Sequence, residues 1–362
     1  MMTVARAVRS DAVRDQRIER LVPLLTPQEL FDELPLDDAR TDVLLAGRAG
    51  AHAILDGKDD RLLVIVGPCS VHDPAACLDY AGRLSAEAQR LSADLLIAMR
   101  VYFEKPRTTI GWKGLINDPH LDGSGDVNTG LKLARRLLLE VLGQGLPVGC
   151  EFLDPITPQY ISDLVSWGAI GARTTESQIH RQLGSGLSMP VGFKNGTGGN
   201  VQVAVDAVGA AAVRHAFAGI DADGRSAILH TRGNTDCHII LRGGTAGPNF
   251  AAEHVAKAAE LLRGRGLPER MMIDLSHENS GKDPARQPEV AQAVADQVAA
   301  GNGAIDGVMI ESFLVAGRQD PGPPETLVYG QSITDGCLGW ETTVEVLDVL
   351  ADAVRTRRTA AG

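Results

Sequence analysis

Six cationic side chains share one kind of position along this chain. Arg100, Lys105, Arg107, Arg173, Lys194 and Arg242 each end a short apolar run rich in β-branched residues, or follow one by a few residues. Taken singly, a strand-end Arg or Lys is ordinarily a solvated or ion-paired surface group. Six that converge on one mouth repel one another, so the cluster requires anionic ligands to offset its own field. Two or more phosphate or carboxylate groups are implied. Arginine's planar fork grips an oxyanion through two parallel hydrogen bonds, whereas lysine supplies a compact charge that also serves as an acid or base. A second set, Cys69, His277 and Glu311 with Asp335 from the loop after the last run, offers sulfur, nitrogen and oxygen donors able to hold a divalent metal ion. Such mixed donors leave manganese, iron, cobalt and zinc open. If buried, Glu311 and Asp335 need a cation or a basic partner. Cys337, two residues beyond Asp335, would point to the same side of an extended segment and so toward Cys69.

The elements that must position these residues follow from hydrophobic pattern. Apolar runs at 62–66, 96–101, 147–152, 169–173, 190–194, 238–242, 271–275 and 307–311 read as eight strands. Helix-length segments at 75–91, 131–143, 158–167, 252–263 and 288–300 separate most of them. Eight strand–helix units over about 300 residues predict an α/β chain closed into a (β/α)8 barrel rather than an open sheet. In such a barrel the site is built at the C-terminal strand ends, where the first strand would end at Gly67-Pro68-Cys69-Ser70, the third at Glu151, the fourth at Arg173 and the eighth at Glu311. The interval between the fifth and sixth strands is too long for one crossover. Runs at 217–220 and 227–231 around Asp223-Gly224 predict an inserted β-hairpin at about 215–232. Residues 1–60 read as a helical extension and residues 61–362 as the barrel: Thr26-Pro27-Gln28-Glu29 forms a capping box with Pro at the first helical position, and a second helix follows near 38–55.

Composition narrows the function classes. The chain of 362 residues is 44% hydrophobic and 22% charged, enough for a large core in one large domain. A formal net charge of -11 argues against a general nucleic-acid binder, which needs clustered cations to displace counterions. No apolar run approaches the roughly 20 residues of a membrane span, and the first sixteen residues lack the apolar segment of a secretory signal. Five scattered cysteines without a CxxC pair make a disulfide framework improbable, so a reducing cytoplasm is the expected compartment.

Long ordered motifs carry a resemblance over nearly the whole chain. They are Gly67-Pro68-Cys69-Ser70-Val71-His72-Asp73, the run from Met99 to Thr109, Gly111-Trp112-Lys113-Gly114-Leu115-Ile116-Asn117-Asp118-Pro119 and Gly171-Ala172-Arg173-Thr174-Thr175-Glu176-Ser177-Gln178. To these are added Val191-Gly192-Phe193-Lys194-Asn195-Gly196-Thr197, Leu241-Arg242-Gly243-Gly244, Asp274-Leu275-Ser276-His277 and Ser332-Ile333-Thr334-Asp335. The sequence resembles the type I 3-deoxy-D-arabino-heptulosonate 7-phosphate (DAHP) synthases of bacteria and fungi. That resemblance implies condensation of phosphoenolpyruvate with erythrose 4-phosphate, with Cys69, His277, Glu311 and Asp335 as metal ligands. It implies Arg100, Lys105, Arg173, Lys194 and Arg242 as the phosphoenolpyruvate grip and Arg107 and Thr108 as the site for the aldose phosphate. Glu151 is counted among the substrate-binding residues, and Lys105 is the expected proton donor to the new alkoxide. In related enzymes the extension and hairpin build an inhibitor pocket at a subunit interface. Here it would comprise Pro155, Gln159, Leu183, Leu187, Ser188 and Phe217, in a homodimer or homotetramer, with Pro155 pointing to tyrosine among the aromatic amino acids. Leu275 stands where Cys is common, Phe313 where His or Asn occurs, and Thr245-Ala246-Gly247 replaces a shorter stretch. The rivals are a synthase of the 3-deoxy-octulosonate 8-phosphate kind, which uses a five-carbon aldose, and a non-catalytic aromatic amino-acid sensor.

Overall fold

Eight short strands pair side by side, all parallel, and close on themselves in the computed structural model, which describes residues 13–107 and 111–361. In chain order the strands of the barrel and hairpin are β1 (Leu62–Gly67), β2 (Leu95–Arg100), β3 (Val148–Glu151), β4 (Trp167–Ile170), β5 (Val191–Lys194), β6 (Ala216–Ile220), β7 (Ser226–His230), β8 (His238–Leu241), β9 (Met271–Asp274) and β10 (Ile305–Glu311), followed by a short pair, β11 (Val315–Arg318) and β12 (Gln331–Ser332). The barrel runs β1-β10-β9-β8-β5-β4-β3-β2, and β6 and β7 form a separate antiparallel pair. The helices are α1 (Pro27–Glu33), α2 (Asp38–Leu55), α3 (Pro74–Arg90), α4 (Val127–Gly143), α5 (Pro158–Ile161), α6 (Gln178–Gly184), α7 (Gln202–Ala211), α8 (Ala252–Gly264), α9 (Gln287–Ala299) and α10 (Trp340–Ala361). The (β/α)8 barrel, the capping box at Thr26 and the hairpin between the fifth and sixth barrel strands are all present. Among the described residues, no helix is long and apolar enough to cross a membrane.

Two sequence expectations are corrected. The fourth strand ends at Ile170 rather than residue 173, because the Gly171 carbonyl accepts from Thr174 and Thr175 N–H at 3.0 Å each and turns the chain. Arg173 therefore stands on that turn, exposed, and does not end a strand. The helix expected over 158–167 stops after one α-helical turn and a 3-10 turn at Ser162–Leu164. Trp167 is the first residue of β4 and is fully buried in the barrel interior, where its indole N–H donates to His238 at 3.2 Å.

Strand periodicity divides the core into two layers. Leu63 and Ile65 point inward with Tyr102, Ala169, Ile240, Met272 and Met309, whereas Leu62, Val64 and Val66 pack outward under the helices. The bottom of the interior is sealed by α2, which contributes Ala51 and Ile54 to the inner layer. Its approach depends on Gly47, where a Cβ would come within 2.6 Å of Pro147. Asp37 starts this helix by accepting from the Arg40 N–H at 2.8 Å. The Ile54 side chain, 3% exposed, is thus a stopper at the foot of the barrel. Ile54→Ala should lower unfolding free energy by about 2–4 kcal/mol in denaturant titrations; a loss below about 0.5 kcal/mol would show that α2 rests on the barrel without sealing it.

Candidate active site

The C-terminal rim of the barrel gathers the reactive side chains. Arg100, at the end of β2 and 1% exposed, donates to the Pro68 carbonyl at 3.2 Å, the Cys69 carbonyl at 3.1 Å and Glu311 at 2.7 Å. Its guanidinium also lies 3.9 Å from the centre of the Tyr102 ring. Burial works against the Arg100 charge, but Glu311 together with Tyr102, Cys69 and Asp274 holds the guanidinium above its ordinary range. Glu311 is fixed in turn by Gln287, which is fully buried: its amide oxygen accepts from the Glu311 N–H at 3.1 Å and its amide nitrogen donates to the Glu311 carbonyl at 3.0 Å.

Cys69, Glu311 and Asp335 bring one thiol and two carboxylates together, with donor atoms within 4.8 Å of one another. The Cys69 thiol donates to Asp335 at 3.6 Å, and the Asp335 N–H donates back to the sulfur at 3.4 Å. The two loops that carry them are clipped by the Ser70 and Thr334 hydroxyls, 2.7 Å apart. Burial, and then the charge on Glu311, push the Cys69 thiol up to about 11. Desolvation would raise Asp335 too, but Lys105, His277, the Cys69 hydrogen bond and Arg100 together lower this carboxyl. A buried thiol that resists ionisation beside two carboxylates is the donor chemistry a divalent cation relieves, so these residues fit a metal ion. Cys337 reaches the same place: its sulfur accepts from the Cys69 N–H at 3.4 Å, and both thiols are free.

The fourth expected ligand stands beside this trio rather than within it. His277 presents Nε2 at 3.8 Å from Glu311, while its Nδ1 lies 2.8 Å from both Asp274 and Ser276. It holds φ +55°, a conformation a non-glycine residue adopts at a cost and that recurs at functional sites.

All six cations named from the sequence border one cavity of about 520 Å³, together with Glu151, His277 and Asp335. Lys194 pairs with Asp274 at 3.2 Å and Arg242 with Glu278 at 3.5 Å. Arg107 donates its Nε–H to the Trp112 carbonyl at 2.7 Å and is exposed. Burial disfavours the Lys105 charge, but Cys69, Glu311 and Asp335 hold the ammonium above its ordinary range. The turn bearing Arg173 packs against the Glu151 carboxylate: a Cβ at residue 171 would lie 2.4 Å from its oxygen and would displace that side chain. Thr108 lies outside the described residues.

Pattern reading missed three carboxylates. Asp274, fully buried, bridges Lys194 and His277. Glu278 shares the cavity with Arg242. Glu104, 3% exposed, accepts from the Thr157 hydroxyl at 3.1 Å and is pushed up to about 7 by burial and by Asp154. Asp274 and Glu104 stood inside quoted motifs, but nothing in spacing marks an acid as buried.

A second cavity of about 590 Å³ lies away from the rim and is bordered by Gln159, Leu183, Leu187, Ser188 and Phe217, joined by His230 and Arg232. Pro155 is not among its lining residues and sits exposed in the loop after β3. The N-terminal segment touches both parts of this region: the Gln28 N–H donates to the Ala222 carbonyl in the hairpin turn at 2.9 Å, and the Tyr160 hydroxyl donates to the Leu25 carbonyl at 2.7 Å.

Comparison with known proteins gives one answer throughout. The DAHP synthetase I family profile matches residues 36–348. A phospho-2-dehydro-3-deoxyheptonate aldolase from Escherichia coli strain K12, named Phe-sensitive, is 55% identical over 95% of this chain and 98% of its own length. A tyrosine-inhibited relative of the same name from Schizosaccharomyces pombe is 51% identical over 95% of this chain and 94% of its own. The solved structure of phospho-2-dehydro-3-deoxyheptonate aldolase from Francisella tularensis SCHU S4 superposes with a TM-score of 0.92 at 50% identity, covering 94% of this chain and 99% of that one.

The placement of His277 generates a test. If the ring completes the metal shell, His277→Ala should weaken divalent-metal affinity by about 10- to 100-fold in chelator competition while the unfolding midpoint hardly moves. Unaltered affinity would restrict the site to Cys69, Glu311 and Asp335.

Proposed function

The chain belongs to the DAHP synthetase I family, and from that premise we propose that it is a 3-deoxy-7-phosphoheptulonate synthase. It joins phosphoenolpyruvate, D-erythrose 4-phosphate and water to give DAHP and inorganic phosphate, the first step of the shikimate pathway. One observation carries this reading: six cations border a single cavity at the C-terminal rim of a parallel barrel, and Asp335 of the thiol–carboxylate trio opens into the same cavity. Two phosphates and a carboxylate supply the negative charge that such a mouth requires.

In this reading Arg100, Lys105, Arg173, Lys194 and Arg242 hold phosphoenolpyruvate, and Arg107 with Thr108 holds the aldose phosphate. Fixing both anions in one cavity gives most of the orientation advantage of a two-substrate reaction. C3 of the enol attacks the aldehyde carbon, and the carbonyl electron pair moves onto oxygen. Lys105, kept protonated by its acidic surroundings, donates the proton to that oxygen. Water adds to the cationic C2, and the phosphohemiketal expels inorganic phosphate by cleavage of its C2–O bond. A divalent ion held by Cys69, Glu311, Asp335 and His277 would supply Lewis-acid polarisation of the aldehyde. Glu151 offers a carboxylate to water or substrate hydroxyls in the same cavity.

The second cavity suits an aromatic amino-acid effector, with Leu183, Leu187 and Phe217 for the ring and Ser188, His230 and Arg232 for polar groups. Among the aromatic amino acids, tyrosine is placed first on the single pointer of Pro155. Exposed Leu21 and Val22 on the N-terminal segment and Ile228 on the hairpin, 79%, 65% and 71% accessible, are apolar faces that a second subunit of a homodimer or homotetramer would cover. A cytoplasmic location accords with five free thiols.

Two measurements check these assignments. Arg107→Ala should raise KM for erythrose 4-phosphate by about tenfold or more, while KM for phosphoenolpyruvate shifts by less than about twofold; equal shifts would remove Arg107 from the aldose site. Steady-state inhibition should be strongest with L-tyrosine, and Phe217→Ala should abolish it. Stronger inhibition by L-phenylalanine would displace tyrosine, and indifference to all three aromatic amino acids would leave the second cavity without this role.

A further inference from the structure

Three carboxylates pair with cations of the catalytic mouth, and they are not equivalent. Glu311 against Arg100 and Asp274 against Lys194 keep 2% and 0% of their side chains exposed and are tied to further groups in the barrel. Glu278 against Arg242 is 21% exposed, borders the cavity, and has a second cationic partner at 3.3 Å, Lys282, which is more exposed and borders the same cavity. One carboxylate therefore sits between a buried arginine and an exposed lysine, 3.5 and 3.3 Å away.

The pairing is held by backbone rather than by chance contact of two long side chains. The Arg242 N–H donates to Asn195 at 2.8 Å, and the Gly243 N–H donates to Asn249 at 2.7 Å. Asn249 in turn donates its N–H to Asn279 at 2.8 Å, and the Asn279 amide donates to the Leu241 and Asp274 carbonyls at 3.0 and 2.8 Å. These bonds lash the strand end carrying Arg242 to the segment carrying Glu278. The approach is so close that residue 243, at φ +71°, must be glycine: a Cβ there would meet Glu278 and Asn279 atoms at 2.8 Å. On the other side, the Lys282 N–H closes the loop onto the His277 carbonyl at 2.6 Å. With both backbones fixed, a single oxygen, Glu278 Oε1, faces both cations at once.

Resting on the assignment of Arg242 to phosphoenolpyruvate above, we propose that Glu278 is an affinity-setting residue: an internal carboxylate that competes with the substrate oxyanion for Arg242 and withdraws to Lys282 when substrate binds. An oxyanion can use the Arg242 fork only when Glu278 has left it, so apparent affinity is reduced by the fraction of time the fork is occupied. The displaced carboxylate stays nearby as a like charge, which weakens the hold on phosphoenolpyruvate and on any phosphate anion at that subsite. Lys282 moderates this by stabilising the withdrawn position. Its role is thus exerted through Glu278.

The test compares wild type, Glu278→Gln, Lys282→Met and the double variant as metal-replete enzymes. Calorimetric Kd and steady-state KM for phosphoenolpyruvate are read, with inorganic phosphate as a second anion probe. Glu278→Gln should tighten phosphoenolpyruvate by about three- to tenfold, tighten inorganic phosphate in parallel, and change KM more than kcat. Lys282→Met should weaken phosphoenolpyruvate while Glu278 is present and have no effect in the Glu278→Gln background. Unchanged or weaker binding by Glu278→Gln overturns the proposal, as does an equal loss from Lys282→Met in both backgrounds. Wild-type enzyme that neither binds phosphoenolpyruvate nor forms DAHP would instead overturn the functional reading beneath it.

Discussion

Two buried ion pairs, Arg100 with Glu311 and Lys194 with Asp274, close the top of the barrel interior, and the rest of the site depends on them. Four charges without water would be costly unless each were matched in position and hydrogen-bonded, and a well-packed apolar layer would often be as stable or more so. Their retention is therefore better explained by what they present than by what they add to stability. Glu311 is held by Arg100 on one side and faces Cys69 and Asp335 on the other. Asp274 is held by Lys194 and orients the His277 ring through Nδ1. Each pair thus joins one cation of the cavity to one side of the thiol–carboxylate cluster.

This coupling explains how an acidic chain carries a strongly cationic cavity. The net charge of -11 is spread over the whole chain, while the rim concentrates cations of which Arg100, Lys194 and Arg242 are each matched by a carboxylate. Moving outward, matching becomes looser: Arg100 and Lys194 are locked, Arg242 has a partner with an alternative, and Arg173 stands exposed on its turn. Such a gradient suits a site that must be rigid where bonds are made and yielding where anions enter and leave.

Much of the architecture was legible in the sequence because parallel strands buried on both faces leave dense apolar runs, and each run ended near a charged residue. The barrel, the inserted hairpin and all six mouth cations follow from that pattern. The errors have local causes. The fourth strand was overrun because Gly171-Ala172 looks apolar, although the turn begins there. The helix after β3 was overrun because Trp167 continues the helical periodicity while its size fills the barrel. Glu278 and Asp274 could not be read as partners of Arg242 and Lys194, because those contacts join residues 36 and 80 positions apart through barrel closure alone. Pro155 lies outside the lining of the second cavity, which Gln159, four residues on, borders. The metal-ligand reading met a subtler limit: Cys69, Glu311 and Asp335 converge, whereas the ring of His277 is directed by Asp274.

The central claim is that the thiol–carboxylate cluster and the cationic cavity act as one catalytic centre. Titrating a divalent metal into chelator-stripped protein, with DAHP formation and bound metal measured together, tests it most directly. The account predicts that activity with phosphoenolpyruvate and erythrose 4-phosphate rises in proportion to bound metal and saturates at one ion per chain. Full turnover by metal-free protein, or saturation with metal without any DAHP formed, would contradict it.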